Sequence, residues 1–415
     1  MKLIYFFCIF LTFSYWSLAQ ETTDGLYQVD LTYRNISTKY CYALALIKTQ
    51  LLDNIISGLT SSITDITSDL GINNLLSKRA GSSQAIGAVN YANDVEWISQ
   101  ISMGTPQQSS LVVLDTGSAD LWIPCIDCYN CKNKRLYDYT QSSTIQYNGD
   151  DFSITYADGS SSKGWMEMDT LQVGYMTIQD QQFAMVYDMS KAFQTDVIDG
   201  VVGCGYDSLS VYSGTQTPLT NMYNQGLIPQ RIFSVQLRPA RNKTTYGGIF
   251  IFGGIDSRLY TGSITYTPVT YKYFWQIGID AVLYNGNNVF TSSRNKQQVI
   301  IDTATALLIV GTNVARTLHS NMRGKYDSSS QTWQVPCNLN SNVQVSIKIN
   351  GVTLQINYQD LVRERVSSLS SWCYSGIAST DSSIWIFGGT FMKNYYVIFD
   401  RERDRVGFAT PVYAY

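Results

Sequence analysis

The sequence predicts an all-β protein built from two related lobes. From about residue 90, short apolar runs are interrupted by Gly, Asn, Asp or Pro roughly every 8 to 12 residues, which is typical of consecutive β-strands. The composition agrees, with 30 Tyr, 30 Gly and many β-branched residues. An internal repeat indicates two lobes: VVLDTGSADLWI (112–123) and VIIDTATALLIV (299–310) share an apolar strand, Asp-Thr, a small residue and a hydroxyl residue.

The two copies of the repeat also agree in the segments that come after them. Each copy is succeeded by an apolar-apolar-Gly element, VVG (201–203) in the first and IFG (386–388) in the second. The Asp and the closing Gly are 88 residues apart in the first copy and 86 in the second. The matching layout predicts two β lobes, each with one Asp at the end of a buried strand.

Length, charge and histidine content exclude several classes of function. A chain of 415 residues with 45% apolar residues is long enough for two or three domains. Its formal charge of −3 offers no basic surface to nucleic acid, so no nucleic-acid partner is expected. The single histidine, His319, excludes His-rich zinc sites. We expect it on the surface of a helix, without a functional role.

The first 19 residues read as a secretory signal peptide. Lys2 precedes an apolar run from Leu3 to Leu11, and SLA (17–19) then provides a small-x-small cleavage pattern. A membrane anchor is the alternative, but hydroxyl residues interrupt the run and it is short for a bilayer span. We therefore expect a secreted or lysosomal/vacuolar protein without stable membrane insertion once residues 1–19 are removed.

Residues 20–79 are expected to be a propeptide. They contain a strand-like YQVDLTYR and a helical LALIKTQLLDNIISGL, and they end on the dibasic pair Lys78-Arg79, which suits processing. An ordinary N-terminal subdomain is the alternative. Asn35 and Asn242 occur in N-x-S/T sequences and are candidate glycosylation sites.

Cysteine usage agrees with export. Of eight cysteines, Cys8 lies in the signal peptide and Cys41 in the propeptide, which leaves an even number for disulfides in an oxidising compartment. The three cysteines of CIDCYNC (125–131) could instead bind a metal. No second cysteine cluster or histidine accompanies them, which favours disulfides. The remaining cysteines are Cys125, Cys128, Cys131, Cys204, Cys337 and Cys373.

Asp115 and Asp302 each end an apolar run, where an ionised carboxylate is costly unless it is paired or hydrogen-bonded. If the lobes bring these carboxylates face to face, like charges prevent both from ionising together. One shared proton then leaves one group to act as base and the other as acid. Ser118 and Thr305, three residues beyond each Asp, are placed to bond the outer carboxylate oxygens, and amides of the following turn can hold the inner ones.

Several distinctive segments succeed one another between residues 90 and 415. They are NYANDVEWISQISMGTP, LDTGSADLWIP, DFSITYADGS, VIDGVVGCGY, YFWQIGID, IDTATALLIVG and IWIFGGTFMKNYYVIFDRERDRVGFA. In this order they resemble the pepsin and cathepsin D type of eukaryotic aspartic endopeptidase. The second and sixth segments are similar to the two active-site motifs of that family, with Ala304 where the second motif has glycine.

The resemblance implies the pepsin-like bilobal acid protease fold, with two β-barrel-like lobes and the active-site cleft between them. The N-terminal lobe would span 80–265 and the C-terminal lobe 266–415. Asp115 and Asp302 would activate a water that attacks the peptide carbonyl, without a cofactor or a metal. The chain is therefore expected to be an aspartic endopeptidase active on polypeptides at acid pH, a monomer, and a target of pepstatin-type inhibitors.

The resemblance also assigns residues to the substrate cleft. Tyr156, at the tip of the flap hairpin, would close over the substrate, and Trp122 would support it. The positions similar to the family's substrate pockets suggest a preference for hydrophobic residues around the scissile bond. They are Val113, Ile198, Val201 and Phe274, joined in the substrate-binding set by Gly117, Ser118, Ala304 and Thr305.

Disulfide pairing follows from the resemblance in the second lobe and only partly in the first. Four first-lobe cysteines allow three connectivities, so their pairing is a hypothesis. The expected bridges are Cys337–Cys373, Cys128–Cys131 and Cys125–Cys204.

Ala304 is the main departure from the family pattern. Its methyl group could crowd a substrate side chain or strain the turn, although alanine is the smallest possible change. We expect activity to survive with a reshaped pocket. A catalytically silent peptide- or protein-binding member of the fold is the alternative, which the presence of Asp115, Asp302 and Tyr156 disfavours.

Overall fold

The structure is a computed structural model that describes residues 83–240 and 246–412. The expected signal peptide (1–19), the expected propeptide (20–79) and Asn242 lie outside the described residues. Strands predominate in the described ranges, as the sequence predicts. None of the helices in these ranges has the length and apolar character needed to span a bilayer.

The first half of the described chain contains strands β1 to β10 and two short helices. The strands are β1 (Gln84–Tyr91), β2 (Glu96–Met103), β3 (Gln108–Asp115), β4 (Leu121–Pro124), β5 (Gln146–Thr155), β6 (Ser161–Val173), β7 (Met176–Met189), β8 (Gly200–Gly203), β9 (Ile232–Leu237) and β10 (Tyr246–Phe252). The helices are α1 (Lys191–Thr195) and α2 (Pro218–Asn224).

The second half contains strands β11 to β26 and two further helices. The strands are β11 (Tyr260–Tyr271), β12 (Gln276–Ile279), β13 (Ala281–Tyr284), β14 (Asn287–Thr291), β15 (Gln297–Ile301), β16 (Leu308–Gly311), β17 (Lys325–Asp327), β18 (Thr332–Pro336), β19 (Val345–Ile349), β20 (Val352–Ile356), β21 (Val362–Arg365), β22 (Trp372–Ser375), β23 (Ile377–Thr380), β24 (Ile384–Phe387), β25 (Tyr396–Asp400) and β26 (Arg405–Pro411). The helices are α3 (Thr312–Asn321) and α4 (Gly389–Met392).

The internal repeat folds into the same three-stranded arrangement twice. In the first copy β3 pairs in parallel with β8, and β8 pairs antiparallel with β4. In the second copy β15 pairs in parallel with β24, and β24 pairs antiparallel with β16. The apolar-apolar-Gly elements therefore belong to the strands that close each copy, which confirms the predicted repeat.

The glycine at the end of each closing strand is required by close packing. A Cβ atom on Gly203 would lie 2.2 Å from the carbonyl carbon of Ala119. A Cβ atom on Gly388 would lie 2.0 Å from the carbonyl oxygen of Thr305. Because no side chain fits at these distances, only glycine lets each closing strand support the turn that follows the Asp of its lobe.

A six-stranded antiparallel sheet joins the two halves, in the order β1-β10-β9-β25-β26-β11. Phe233 of β9 stacks on Phe399 of β25 with their ring centroids 4.6 Å apart. Trp275 packs edge-on against Phe399, and its indole Nε1 donates to the carbonyl oxygen of Cys204 at 2.9 Å. The lobes therefore share one sheet and part of one apolar core.

The sequence suggests helices near 219–225, over 312–323 and over 358–365, and two of these three form. Helices α2 and α3 occupy the predicted regions near 219–225 and 312–323. The third region, 358–365, begins with a 3₁₀ turn at Tyr358–Leu361 and continues as β21. Pairing of β21 with β22 supplies the backbone hydrogen bonds there, so tertiary context overrides the local pattern.

His319 lies in α3 but is fully buried, so the predicted surface position was wrong. Its Nδ1 lies 2.7 Å from the carbonyl oxygen of Ala315, and its Nε2 lies 2.8 Å from the hydroxyl of Ser375. The imidazole stacks on Trp333 with a centroid separation of 4.3 Å. Burial lowers the pKa of His319 from 6.5 to about 4, so the ring stays neutral where a histidine ordinarily gains a proton.

Two of the three expected disulfides are present, and they are Cys128–Cys131 and Cys337–Cys373. The bond within CIDCYNC supports the disulfide interpretation of this cluster over the metal alternative. The predicted third bridge was wrong, because Cys125 and Cys204 are both free and buried.

The register of β4 with β8 explains why Cys125 and Cys204 do not pair. Leu121 lies opposite Val202 in this antiparallel pair. Cys125 comes directly after β4 and Cys204 directly after β8, so the two cysteines lie at opposite ends of the strand pair. At about 3.4 Å per residue this offset separates them by roughly 15 to 20 Å. A disulfide requires Cα atoms within about 7 Å.

We expect the thiols of Cys125 and Cys204 to react with an alkylating reagent when the chain is unfolded with its disulfides intact. In the native protein the same thiols should be protected. Burial raises the pKa of the Cys125 thiol to about 11 and also raises that of Cys204, so little reactive thiolate forms near neutral pH. Peptide mapping after alkylation, with and without denaturant, measures this. Cys337 and Cys373 are internal controls that should stay unlabelled, and a peptide cross-linked between Cys125 and Cys204 would contradict the structure.

Buried His319 should make the fold less stable in acid. Its pKa of about 4 in the folded chain lies below the ordinary 6.5, so between these values the unfolded chain binds more protons. The stability contributed by neutral His319 is complete above about pH 6.5 and falls by about 3 kcal/mol toward pH 4.

His319→Gln removes this titration while keeping a donor and an acceptor at the site. The free energy of unfolding of both proteins, measured at about pH 7 and about pH 4, should fall by about 3 kcal/mol more in the wild type. Because the chain has no other histidine, equal losses would show that His319 does not titrate as described.

Candidate active site

Asp115 ends β3, and its carboxylate is held by the turn that follows. The amide of Gly117 donates to Oδ1 at 2.8 Å, and the hydroxyl of Ser118 donates to Oδ2 at 2.7 Å. The residue is 1% exposed. The hydroxyl and amide bonds expected from the sequence are therefore present, and they fix the orientation of a buried carboxylate.

Asp302 follows β15 and is held in the same way. The amide of Ala304 donates to Oδ1 at 2.9 Å, and the hydroxyl of Thr305 donates to Oδ2 at 2.6 Å. The amide of Asp302 itself donates to the carbonyl oxygen of Phe387 in β24 at 3.1 Å. The alanine at position 304 therefore leaves the hydrogen-bonding pattern of the turn intact.

The carboxylate of Asp302 faces the turn of the other lobe. A Cβ atom on Gly117 would lie 2.9 Å from Cγ of Asp302, so only glycine leaves room there for the carboxylate. Since Gly117 also holds the carboxylate of Asp115 through its amide, the two aspartates share one site between the lobes.

Thr116 and Thr303, the residues after each Asp, exchange hydrogen bonds between the two copies of the repeat. The amide of each donates to the hydroxyl of the other at 3.0 Å. The Thr116 hydroxyl donates to the carbonyl oxygen of Ile301 at 2.8 Å, and the Thr303 hydroxyl donates to that of Leu114. No role was predicted for these threonines from the sequence, although their identical position in both copies was a signal.

The hairpin of β5 and β6 carries Tyr156 at its tip. The indole Nε1 of Trp122 donates to the hydroxyl of Tyr156 at 2.8 Å. Both rings pack edge-on against Phe193, with centroids 5.6 Å from Tyr156 and 4.9 Å from Trp122. Burial, together with the nearby charge of Asp115, raises the pKa of Tyr156 well above its usual value, so the phenol keeps its proton.

A cleft lies beside Asp115 and beneath the hairpin tip. Five of the ten predicted substrate-binding residues line it, namely Tyr156, Val113, Ile198, Val201 and Ala304. Phe274 is half-buried in the turn between β11 and β12 and is not among the described residues that line this cleft. The apolar wall is completed by Ala192 and Phe193 of α1.

Three carboxyl groups that were not predicted from the sequence also line this cleft, and they belong to Glu96, Asp158 and Asp196. Glu96, the first residue of β2, is 3% exposed, and Asp196, directly after α1, is 8% exposed. Burial and then the neighbouring charge of Asp196 raise the pKa of Glu96 well above its usual value. Burial also raises the pKa of Asp196, against the ammonium of Lys134, which lowers it. The available signal was an acidic residue at the start of an otherwise largely buried strand.

Replacing Thr303 by Val should destabilise the fold. The variant keeps the shape of the side chain but leaves the buried amide of Thr116 without its acceptor, which costs about 1 to 3 kcal/mol. Denaturant unfolding measures the loss. Thr353→Val on the exposed face of β20 is the matched control and should stay within about 0.5 kcal/mol of the wild type. Equal effects of the two substitutions would show that the exchanged bonds do not stabilise the structure.

Comparisons with known proteins identify the family. Residues 96–411 match the sequence model of the eukaryotic aspartyl protease family. The chain is 35% identical to rhizopuspepsin of Rhizopus chinensis over 322 residues, which cover 77% of this chain and 79% of the relative. It is 34% identical to gastricsin of Macaca fuscata fuscata over 327 residues, covering 76% and 84%. It is 30% identical to the pregnancy-associated glycoprotein of Equus caballus over 347 residues, covering 81% and 87%.

The family match begins at the first residue of β2 and ends at the last residue of β26, so it includes both copies of the repeat and every strand of the joining sheet except β1. The fold is all-β and two-lobed, as the resemblance implied. The chain is an aspartic-type endopeptidase and belongs to the eukaryotic aspartyl protease family.

Proposed function

We propose that the chain hydrolyses peptide bonds at acid pH through a water molecule held between Asp115 and Asp302. The observation that carries this proposal is the equivalent support of the two carboxylates. Each carboxylate accepts one hydrogen bond from the amide two residues later in the chain and one from the hydroxyl three residues later. The two turns meet where Gly117 contacts Asp302.

The two carboxyl groups provide both an acid and a base. Close like charges disfavour the doubly ionised pair, so one proton is shared in acid. The ionised carboxylate takes a proton from the water as the water oxygen attacks the peptide carbonyl carbon. The protonated carboxyl hydrogen-bonds the carbonyl oxygen, and the tetrahedral intermediate collapses with transfer of a proton to the leaving nitrogen.

Tyr156 is proposed to close the cleft over the substrate. Its hydroxyl is bonded by the indole of Trp122 and its ring is fixed by Phe193, so the hairpin tip is held close to Asp115. Enclosure of this kind excludes bulk water and strengthens the electrostatic interactions at the reacting atoms.

The walls of the cleft support a preference for hydrophobic residues around the scissile bond. Val113, Ile198 and Val201 are each no more than 5% exposed, and they pack in one apolar cluster with Ala304. Burying an apolar substrate side chain against such walls contributes about 1.5 to 3 kcal/mol. The methyl of Ala304 narrows this pocket and does not displace either carboxylate.

The route to the active enzyme is also part of the proposal. We propose that residues 1–19 direct the chain into the secretory pathway, that residues 20–79 are removed near Lys78-Arg79, and that the lobes 80–265 and 266–415 act as a monomer. Secretion or delivery to a lysosome or vacuole fits the two disulfides present in the described part of the chain.

The test is cleavage of unfolded casein by the processed enzyme between about pH 3 and pH 7, with and without pepstatin. Activity should peak in acid, be blocked by pepstatin, and fall at least about a thousandfold in Asp115→Asn. The matched control is Asp381→Asn on the exposed surface of the second lobe, which should retain wild-type activity. Absence of cleavage by correctly processed wild type, or full activity of Asp115→Asn, would contradict the proposal.

A further inference from the structure

The flap hairpin of β5 and β6 is held at its tip and also at its base. At the tip, Trp122 donates to the hydroxyl of Tyr156 at 2.8 Å. At the base, Asp150 of β5 accepts a hydrogen bond from the hydroxyl of Tyr212. Asp150 and Tyr156 are six residues apart in extended chain, which corresponds to about 20 Å. Two contacts this far apart fix the tilt of the hairpin over Asp115, which the contact at the tip alone does not.

A bulge in β5 shapes the surface that Tyr212 contacts. The ladder of β5 with β6 shifts its register between Tyr147 and Asp150. Asn148, inside this bulge, donates from Nδ2 to the hydroxyl of Tyr212 at 3.2 Å and to Oδ2 of Asp150 at 2.9 Å. The amide of Asn148 donates to Oε2 of Glu167 in β6 at 2.5 Å. The bulge therefore presents one donor and one acceptor to the phenol of Tyr212, and the phenol bonds to both.

Tyr212 belongs to a loop, residues 207–217, that is anchored to the first active-site motif. Buried Asp120 accepts the hydroxyl of Ser210 at 2.6 Å on one carboxylate oxygen and the amide of Val211 at 3.1 Å on the other. Val211 is 52% exposed, whereas Tyr212 is half-buried and packs against the apolar cluster of the cleft. Because the carboxylate fixes the two residues before Tyr212, the loop brings this side chain to the hairpin in a set position.

Both contacts with the hairpin start from the segment that follows Asp115. Asp120 directly precedes β4, and Trp122 lies within β4. Trp122 holds the tip of the hairpin itself, and Asp120 holds its base through the loop that carries Tyr212. The hairpin is therefore positioned relative to the carboxylate of Asp115 at two places.

We propose that Tyr212 is a positioning residue for peptide hydrolysis, which sets the flap hairpin over the cleft before a substrate binds. The inference rests on the proposed function and adds to it a residue that is not part of the cleft lining. A hairpin held at its base has less motion to lose when a peptide enters the cleft, so binding is opposed by a smaller entropy loss. Loss of the phenol should therefore raise KM and leave kcat nearly unchanged.

The test compares Tyr212→Phe and Asp150→Ala in cleavage of one hydrophobic peptide by the processed enzyme. Each substitution should raise KM about fivefold and keep kcat within about twofold of the wild-type value. The double variant should raise KM no further than either single variant, because both substitutions remove the same hydrogen bond. Asp150→Asn keeps an acceptor for the phenol and should have the wild-type KM.

Tyr147→Phe is the matched control on the same strand. Tyr147 is 65% exposed, and its hydroxyl makes no hydrogen bond to a described residue, so its loss should leave KM unchanged.

Amide hydrogen exchange measures the position of the hairpin without cleavage. In Tyr212→Phe the amides of residues 150–160 should exchange about fivefold faster than in the wild type, because local opening of the hairpin becomes easier. The midpoint of denaturant unfolding should stay the same, since phenylalanine keeps the packing of the ring.

The outcomes separate this inference from the proposed function. If the wild type cleaves no peptide, peptide hydrolysis itself fails and the inference falls with it. If the wild type is active and Tyr212→Phe keeps the wild-type KM or the wild-type exchange rates, only the inference is overturned. A large loss of kcat or a lower unfolding midpoint in Tyr212→Phe also overturns it, because the phenol then acts on the reacting atoms or on the fold as a whole.

Discussion

The position of the two carboxylates depends on the hydrogen bonds that Thr116 and Thr303 exchange across the lobe boundary. Each hydroxyl accepts the amide of the other threonine and donates to a carbonyl of the strand that leads into the other Asp. Neither turn can therefore shift without moving its counterpart. Amides and threonine hydroxyls do not titrate in the acid range, so this connection keeps the same bonds throughout that range.

The two copies of the repeat are not identical where each approaches the other lobe. Gly117 lies against the carboxylate of Asp302, where any side chain would collide with it. Ala304, at the equivalent position, carries a methyl that packs with Val113 and Ile198 of the first lobe. The apolar cluster therefore reaches the neighbourhood of Asp115, whose surroundings differ from those of Asp302. Different surroundings are a physical basis for giving paired carboxyls different roles as acid and base.

The sequence predicted the features that depend on local spacing. The bonds to Asp115 and Asp302 come from residues two and three positions on, so the motif alone contains them. The pairing of Cys125 with Cys204 was wrong because strand register, a long-range property, decides it. The approach of Glu96 to Asp196 is likewise set by tertiary packing, since β2 and the end of α1 are distant in sequence. The burial of His319 could have been predicted from local spacing, because it lies one helical turn after Ala315, on the buried face of the helix.

The six-stranded sheet between the lobes has a consequence for synthesis of the chain. β9 is buried along its whole length between β10 and β25, and β25 is made almost at the end of translation. A nascent chain that has completed only the first lobe therefore presents one side of β9 as an open, largely apolar strand edge. Such edges pair readily with other chains. Until β25 is synthesised, this edge of β9 remains available for such pairing.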